Sequence, residues 1–189
     1  VRLQPSTRAL RIDDAPAARD HPARMTLVRP ATLADLPAVQ SIYAHHVSHG
    51  TGTFEIDPPP LAEITARWEK VVARGHPWLV ACDGDGAVLG YAYAGPFRER
   101  AAYARTLEDS VYVSPDAQGR GVGRALLTAL LDASKSLGAR EMLAVIGDSG
   151  NAASLGLHRA LGFTDAGLLR GVGEKFGRVL DVVILQRAL

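Results

Sequence analysis

Gln118-Gly119-Arg120-Gly121-Val122-Gly123 lies between a strand-like run and a helix-like run. Glycines at a helix start bare backbone N–H groups, and the helix dipole adds partial positive charge there. Such a loop suits a phosphate or pyrophosphate. Its spacing matches neither common nucleotide loop. The Gly-Lys-Ser/Thr ending that holds a nucleotide and its magnesium is missing. The third glycine also comes too early for the dinucleotide fingerprint, because Gly119-Arg120-Gly121 continues as Val122-Gly123-Arg124.

Other chemistry-bearing residues flank this loop. Glu108 shares a strand face with Ser110 and Tyr112. Its position alone reads as a solvated strand-start carboxylate or an ion-pair partner. A carboxylate can equally serve as a base. Asn151, Leu155 and His158 fall at i, i+4 and i+7, on one helix face. An imidazole there can exchange a proton near neutral pH or make a structural hydrogen bond. Asn151 also fits a helix N-cap. Arg98, Arg100 and Tyr103 lie between two strands, and arginine forks bind oxyanions two oxygens at a time. A solvated basic loop is the other reading. Phe54 is either a pocket wall or a core anchor.

Two features carry no chemistry in this reading. His45, His46 and His49 lack a His-Glu-x-x-His pattern or a carboxylate partner, so a solvent-facing helix end is expected rather than a metal site. Cys82 sits among apolar neighbours and reads as a small core residue.

The elements that must position these groups follow from periodicity. Leu27-Val28-Arg29 is a first strand. Thr32 can cap a helix, with Asp35 three residues on and Leu36, Val39, Ile42 and Tyr43 at helical spacing. A second helix is expected over about 61–74. Strands follow at 78–82 and 88–94, joined by the turn Asp83-Gly84-Asp85-Gly86. Another strand spans Leu107 to Val113, and a helix runs from Arg124 to Leu137. Met142 to Ile146 is a continuous apolar run, as in a strand buried on both faces. A helix over 151–161 and two final strands, from Phe163 and over 176–186, complete the order. That is an α/β layer architecture with one sheet.

The bulk numbers exclude several classes. With 189 residues, 47% hydrophobic and 22% charged, the chain fits one soluble domain with a real core. A net charge of +1 offers no field for nucleic acid or a membrane surface. No apolar run reaches membrane-spanning length. A single cysteine points to a reducing, cytoplasmic setting. Residues 1–24 lack a period and are expected to be a loosely held extension or leader, with residues 25–189 as the one domain.

The pattern Gln-x-x-Gly-x-Gly, placed after the fourth strand, resembles the acetyl-coenzyme A loop of the GNAT N-acetyltransferases. Thr53-Phe54-Glu55, Gly95-Pro96-Phe97-Arg98, Leu107-Glu108-Asp109-Ser110-Val111-Tyr112-Val113, Leu157-His158-Arg159-Ala160-Leu161-Gly162-Phe163 and Lys175-Phe176-Gly177-Arg178 narrow it. They resemble the phosphinothricin and methionine sulfoximine/sulfone N-acetyltransferase branch.

The resemblance implies a three-layer fold with a mixed, mostly antiparallel twisted sheet flanked by about four helices. It implies acetyl-coenzyme A as cosubstrate without a metal, a small amino-acid-like acceptor, direct transfer, herbicide resistance as a consequence, and a homodimer. It makes Glu108 the candidate base and places His158 near the coenzyme A sulfur as acid or second base. Val111, Tyr112, Val113, residues Gln118 to Arg124, Asn151 and Ser154 would hold the cosubstrate. Phe54, Arg98, Arg100 and Tyr103 would line the acceptor pocket. Acetylation of a protein N-terminus or another amine, and a non-catalytic coenzyme A-binding module, are the alternatives.

Overall fold

The structure, a computed structural model, describes residues 26–189. The expected extension at 1–24 lies outside the described residues. The chain runs β1 (Leu27–Pro30), α1 (Leu36–His49), α2 (Leu61–Ala73), β2 (Trp78–Cys82), β3 (Val88–Pro96), β4 (Thr106–Val113), α3 (Val122–Ser136), β5 (Glu141–Gly147), α4 (Ala152–Ala160), β6 (Thr164–Lys175) and β7 (Arg178–Ala188). This is the element order that periodicity predicts.

The seven strands form one sheet in the order β1-β2-β3-β4-β5-β7-β6. Only β4 and β5 are parallel; the other pairs are antiparallel. A parallel neighbour needs a crossover, and α3 supplies it. Buried Leu126, Leu127 and Leu130 press α3 onto Ala92, Leu107 and Met142. On the other face Val39, Ile42 and Val47 of α1 and Ile64 of α2 cover Trp78, Val80, Cys82 and Tyr91. Cys82 is therefore a core residue, as its neighbours suggest.

The entry to α1 is fixed by a reciprocal cap. Asp35 accepts from the Thr32 backbone N–H at 2.8 Å and takes both Arg29 guanidinium nitrogens at 2.7 Å. Those Arg29 hydrogen bonds hold the Asp35 carboxyl far below the usual carboxylate range, although burial opposes them.

Two boundaries differ from periodicity. α3 starts at Val122 rather than Arg124, because Gly121 adopts φ +81° and acts as its N-cap. Gly123 therefore lies inside the first turn. Phe176 belongs to the two-residue turn joining β6 and β7, not to β7; Phe176 and Gly177 have φ of +53° and +68°. Positive φ at both central positions matches the twist of an antiparallel hairpin.

Candidate active site

β4 and β5 pair only from Thr106↔Glu141 to Asp109↔Ala144. Beyond that point they separate and open a notch in the sheet. The Ser114 N–H donates to the Leu89 carbonyl at 2.8 Å. Antiparallel pairs alternate between bonded and non-bonded, so the register Ala92↔Val111 and Gly90↔Val113 turns the polar groups of both valines away from β3. They face the notch. An extended, amide-bearing ligand can add there as a strand would.

A cavity of about 680 Å³ fills the notch. Its walls include Val111, Tyr112 and Val113 of β4, the glycine loop, and Asn151, Ser154 and His158 of α4. In the loop, Gln118, Gly119, Gly121, Val122, Gly123 and Arg124 line it. Arg120 does not; its side chain turns back to the Asp116 carbonyl at 3.5 Å. Gly119 has φ +71°. The first helix-closing bond of α3 runs from Ala125 N–H to the Gly121 carbonyl. The N–H groups of Val122, Gly123 and Arg124 thus have no partner within the helix. That is an anion cradle at the mouth of a cavity.

At the apex of the notch, His158 Nε2 lies 3.0 Å from Asp109 Oδ1, and His158 Nδ1 lies 2.8 Å from the Ser154 carbonyl. Both residues are buried and both line the cavity. Sequence reasoning missed Asp109. A signal existed: alternation places it on the core face with buried Leu107, and a carboxyl on a core face demands a partner. Asn151 caps α4 by accepting from the Ser154 N–H at 3.2 Å, so its cap reading holds while it also lines the cavity.

Glu108 stands on the opposite face of β4, half-buried, and is not part of the cavity wall. It is paired with Gly95, and Ser110 with Tyr93. Burial pushes its carboxyl up, the Asp109 charge adds to this, and Arg98 opposes both. A carboxyl poised in this way can take a proton from a group entering on the α1/α2 side.

Of the expected acceptor residues, Arg98 and Tyr103 meet on the Phe97 ring, while Phe54 lies apart from them. Arg98, Arg100 and Tyr103 are exposed and lie outside the cavity wall. The Arg98 guanidinium rests over the Phe97 ring at 4.9 Å, and Tyr103 meets that ring edge-on at 5.8 Å. Only Arg98 reaches the site, through its charge on Glu108. Phe54 is an anchor: a Cβ on Gly173 would sit 2.1 Å from its ring, and one on Gly147 2.8 Å away. The ring wedges the α1–α2 loop against β5 and β6. Lys175 Nζ adds a 2.9 Å bond to the Thr53 carbonyl, and Thr51 Oγ1 donates to Asp148 Oδ2 at 2.6 Å.

The histidine group corrects one expectation. His45 and His49 stack at 4.5 Å near the end of α1, but His46 is half-buried and lines the cavity. Its Nε2 donates to the Val113 carbonyl at 2.9 Å. Burial pulls its imidazole below the ordinary value.

Residues 39–163 match the model of the acetyltransferase (GNAT) family. The phosphinothricin N-acetyltransferase of Alcaligenes faecalis is 56% identical over 155 residues, covering 82% of this chain and 78% of that protein. The L-methionine sulfoximine/L-methionine sulfone acetyltransferase of Pseudomonas paraeruginosa is 43% identical over 159 residues, covering 84% and 92%. A phosphinothricin acetyltransferase from Sinorhizobium meliloti, solved in complex with acetyl-coenzyme A, superposes with a TM-score of 0.84 at 45% identity, covering 87% of this chain and 88% of that one. Fold, glycine loop and relatives agree: the chain belongs to the acetyltransferase (GNAT) family and is an N-acetyltransferase.

Proposed function

We propose that the protein moves the acetyl group of acetyl-coenzyme A directly to the α-amino group of a small amino-acid-like acceptor, such as phosphinothricin or methionine sulfoximine. One observation carries this reading. The notch brings together, at one point of β4, an open strand edge, an anion-binding helix start and a half-buried carboxyl on the far face. A long cosubstrate with amides and a pyrophosphate fits the first two. Its thioester supplies an activated acetyl group.

The chain's own residues have separable tasks in this reading. The N–H groups of Val122 to Arg124 hold the pyrophosphate. The edges of Val111 and Val113 align the amide-bearing arm. Glu108 takes the ammonium proton, directly or through water, so that a neutral amine attacks. The His158–Asp109 pair lies where the thiolate departs. No covalent enzyme intermediate is required, because attack by the amine is direct.

The acceptor class rests on the activities for which the relatives are named. Arg98 and Arg100 would meet the acceptor's acidic groups. Their exposure also suits a second reading, an open site for a larger amine such as a protein N-terminus. An acetyl-coenzyme A consumption assay over phosphinothricin, methionine sulfoximine, methionine sulfone, glutamate, simple amines and N-terminal peptides separates the two. Turnover of peptides alone would overturn the amino-acid reading. Acetylated enzyme appearing without acceptor would overturn direct transfer.

The working form we propose is a cytoplasmic homodimer whose catalytic unit is residues 25–189. Leu168, Leu169, Val172, Phe176 and Val179 are exposed along β6 and β7, an apolar stretch that a second copy would cover. Sedimentation velocity tests it; a monomer at micromolar concentration would refute it. Expression in a phosphinothricin-sensitive host tests whether the activity confers herbicide resistance.

A further inference from the structure

Asp109 has no place in the mechanism above except as the partner of His158, yet its surroundings are unusual. It is 6% exposed and His158 is 3% exposed. The carboxyl faces the helical layer from the last paired position of β4, Asp109↔Ala144. Oδ1 meets His158 Nε2 at 3.0 Å, while Oδ2 has no hydrogen-bond partner among the described residues. A lone carboxylate left so would be costly.

The proton inventory follows from the second contact of the ring. A carbonyl only accepts, so the His158 nitrogen 2.8 Å from the Ser154 carbonyl carries hydrogen. One further proton then lies between Nε2 and Oδ1. Whether written as imidazolium with carboxylate or as imidazole with carboxylic acid, the pair is neutral overall. Phe163 packs edge-on against the imidazole at 5.0 Å and limits its rotation.

We propose that Asp109 is a positioning residue of acetyl transfer: it clamps the His158 ring at the apex of the notch and holds one proton jointly with it. This rests on the acetyltransferase reading above. The pair, rather than a free imidazole, is then what the departing sulfur meets. As the C–N bond forms and the C–S bond breaks, the C–S electron pair goes to sulfur. Sulfur takes the shared proton. The pair is left as a carboxylate and a neutral imidazole protonated at Nδ1, and solvent restores the proton. The nitrogen loses two protons, which pass one after the other through Glu108 to solvent; one matches the proton that restores the pair and the other is released, so charge balances.

The surroundings support retention of that proton. Burial pushes the Asp109 carboxyl up, only partly offset by His158. Burial pulls His158 down, but the Asp109 hydrogen bond and charge and the Ser154 carbonyl outweigh it, and the net shift is upward. Few other groups interfere. Glu108 adjoins Asp109 on the other face, β5 contributes apolar Ala144 and Ile146, and α4 contributes Ser154.

The test is ring-nitrogen NMR of the full chain labelled in histidine, followed against pH in wild type and Asp109→Asn, with His158→Asn to assign the signal. The expected result is a wild-type His158 that keeps its proton at least about one pH unit higher than in Asp109→Asn. In kinetics, Asp109→Asn should lower kcat about 10-fold or more with KM for acetyl-coenzyme A within about 3-fold. The high-pH limb of kcat should move down. The double variant should be no worse than the poorer single one. A His158 that titrates alike in both proteins, or losses that multiply, would overturn the proposal. If Asp109→Asn does not fold, the wild-type titration still decides: an ordinary His158 value refutes it. Absence of turnover with every acceptor would instead sink the acetyltransferase reading and leave the NMR result standing.

Discussion

Glu108 and Asp109 are consecutive on β4 yet serve opposite faces of the sheet. Asp109 is bonded to His158 of α4, whereas Glu108 lies on the side of Tyr91, Tyr93 and Tyr112, where the α1/α2 layer packs. Period-two alternation alone produces this division. One strand can thus present a proton acceptor to an incoming amine and a proton-holding pair to a departing thiolate without the two carboxyls competing for one proton.

Glu108→Gln should cut kcat/KM for the acceptor by about 10²–10⁴-fold, the usual range for losing a general base. The pH profile gives the sharper check. Burial and the Asp109 charge raise the Glu108 carboxyl, so its basic form exists above that raised value and is lost as pH falls through it. Wild-type kcat/KM should therefore drop on the acid side at a pH above the ordinary carboxylate range. Arg98→Gln removes the charge that lowers Glu108 and should move this limb to higher pH. A limb that ignores both substitutions would mean that another group is the base.

Gly121→Ala addresses the cosubstrate loop. Gly121 caps α3 at φ +81°, where a side chain costs about 1–2 kcal/mol. The strain should tilt the N–H groups of Val122 to Arg124 away from the position proposed for the pyrophosphate. Steady-state kinetics should show KM for acetyl-coenzyme A rising about 10-fold while kcat at saturation changes little. An unchanged KM would show that the cradle holds no phosphate.

These expectations also show which parts of the site are local. Glycine needs at 119 and 121, alternation along 107–113 and the helical face of Asn151, Leu155 and His158 are written within a few residues of each other, so they were legible. His46 was not. Its bond to the Val113 carbonyl joins residues 67 positions apart and exists only once α1 lies across the end of β4. Arg98, Arg100 and Tyr103 sit in a connection with no period, so their types suggested an oxyanion pocket but nothing fixed their direction. Phe54 was ambiguous for the same reason, since its neighbours Gly147 and Gly173 come from strands far along the chain.

Phe54 and Gly173 should behave as one packed unit. A Cβ on Gly173 would lie 2.1 Å from the Phe54 ring, inside any tolerable contact. Gly173→Ala should destabilise the fold by about 1–3 kcal/mol through overpacking. Phe54→Ala removes the obstacle, so the double variant should lose less than the sum of the singles. Thermal melts of the four proteins measure this coupling. Strict additivity would place the ring elsewhere.

Asp35→Asn tests the anchor of α1, which carries His46 to the cavity. The Arg29 hydrogen bonds dominate and depress the Asp35 carboxyl, outweighing burial, and the Thr32 N–H adds to them. A depressed carboxyl contributes stability that is fully present above its unfolded value, about 3.9, and fades as pH falls through the folded value. Arg29 is 35% exposed, so solvent screens the pair and the cap sets the scale. The variant should lose about 1–2 kcal/mol at pH 7, a drop of roughly 2–8 °C in Tm. Below about pH 4 the unfolded chain takes up this proton while the folded carboxyl stays ionised, so the gap should shrink steadily and close only near the folded value. A gap that stays constant down to pH 3 would mean that the asparagine acts by packing and not through the carboxylate.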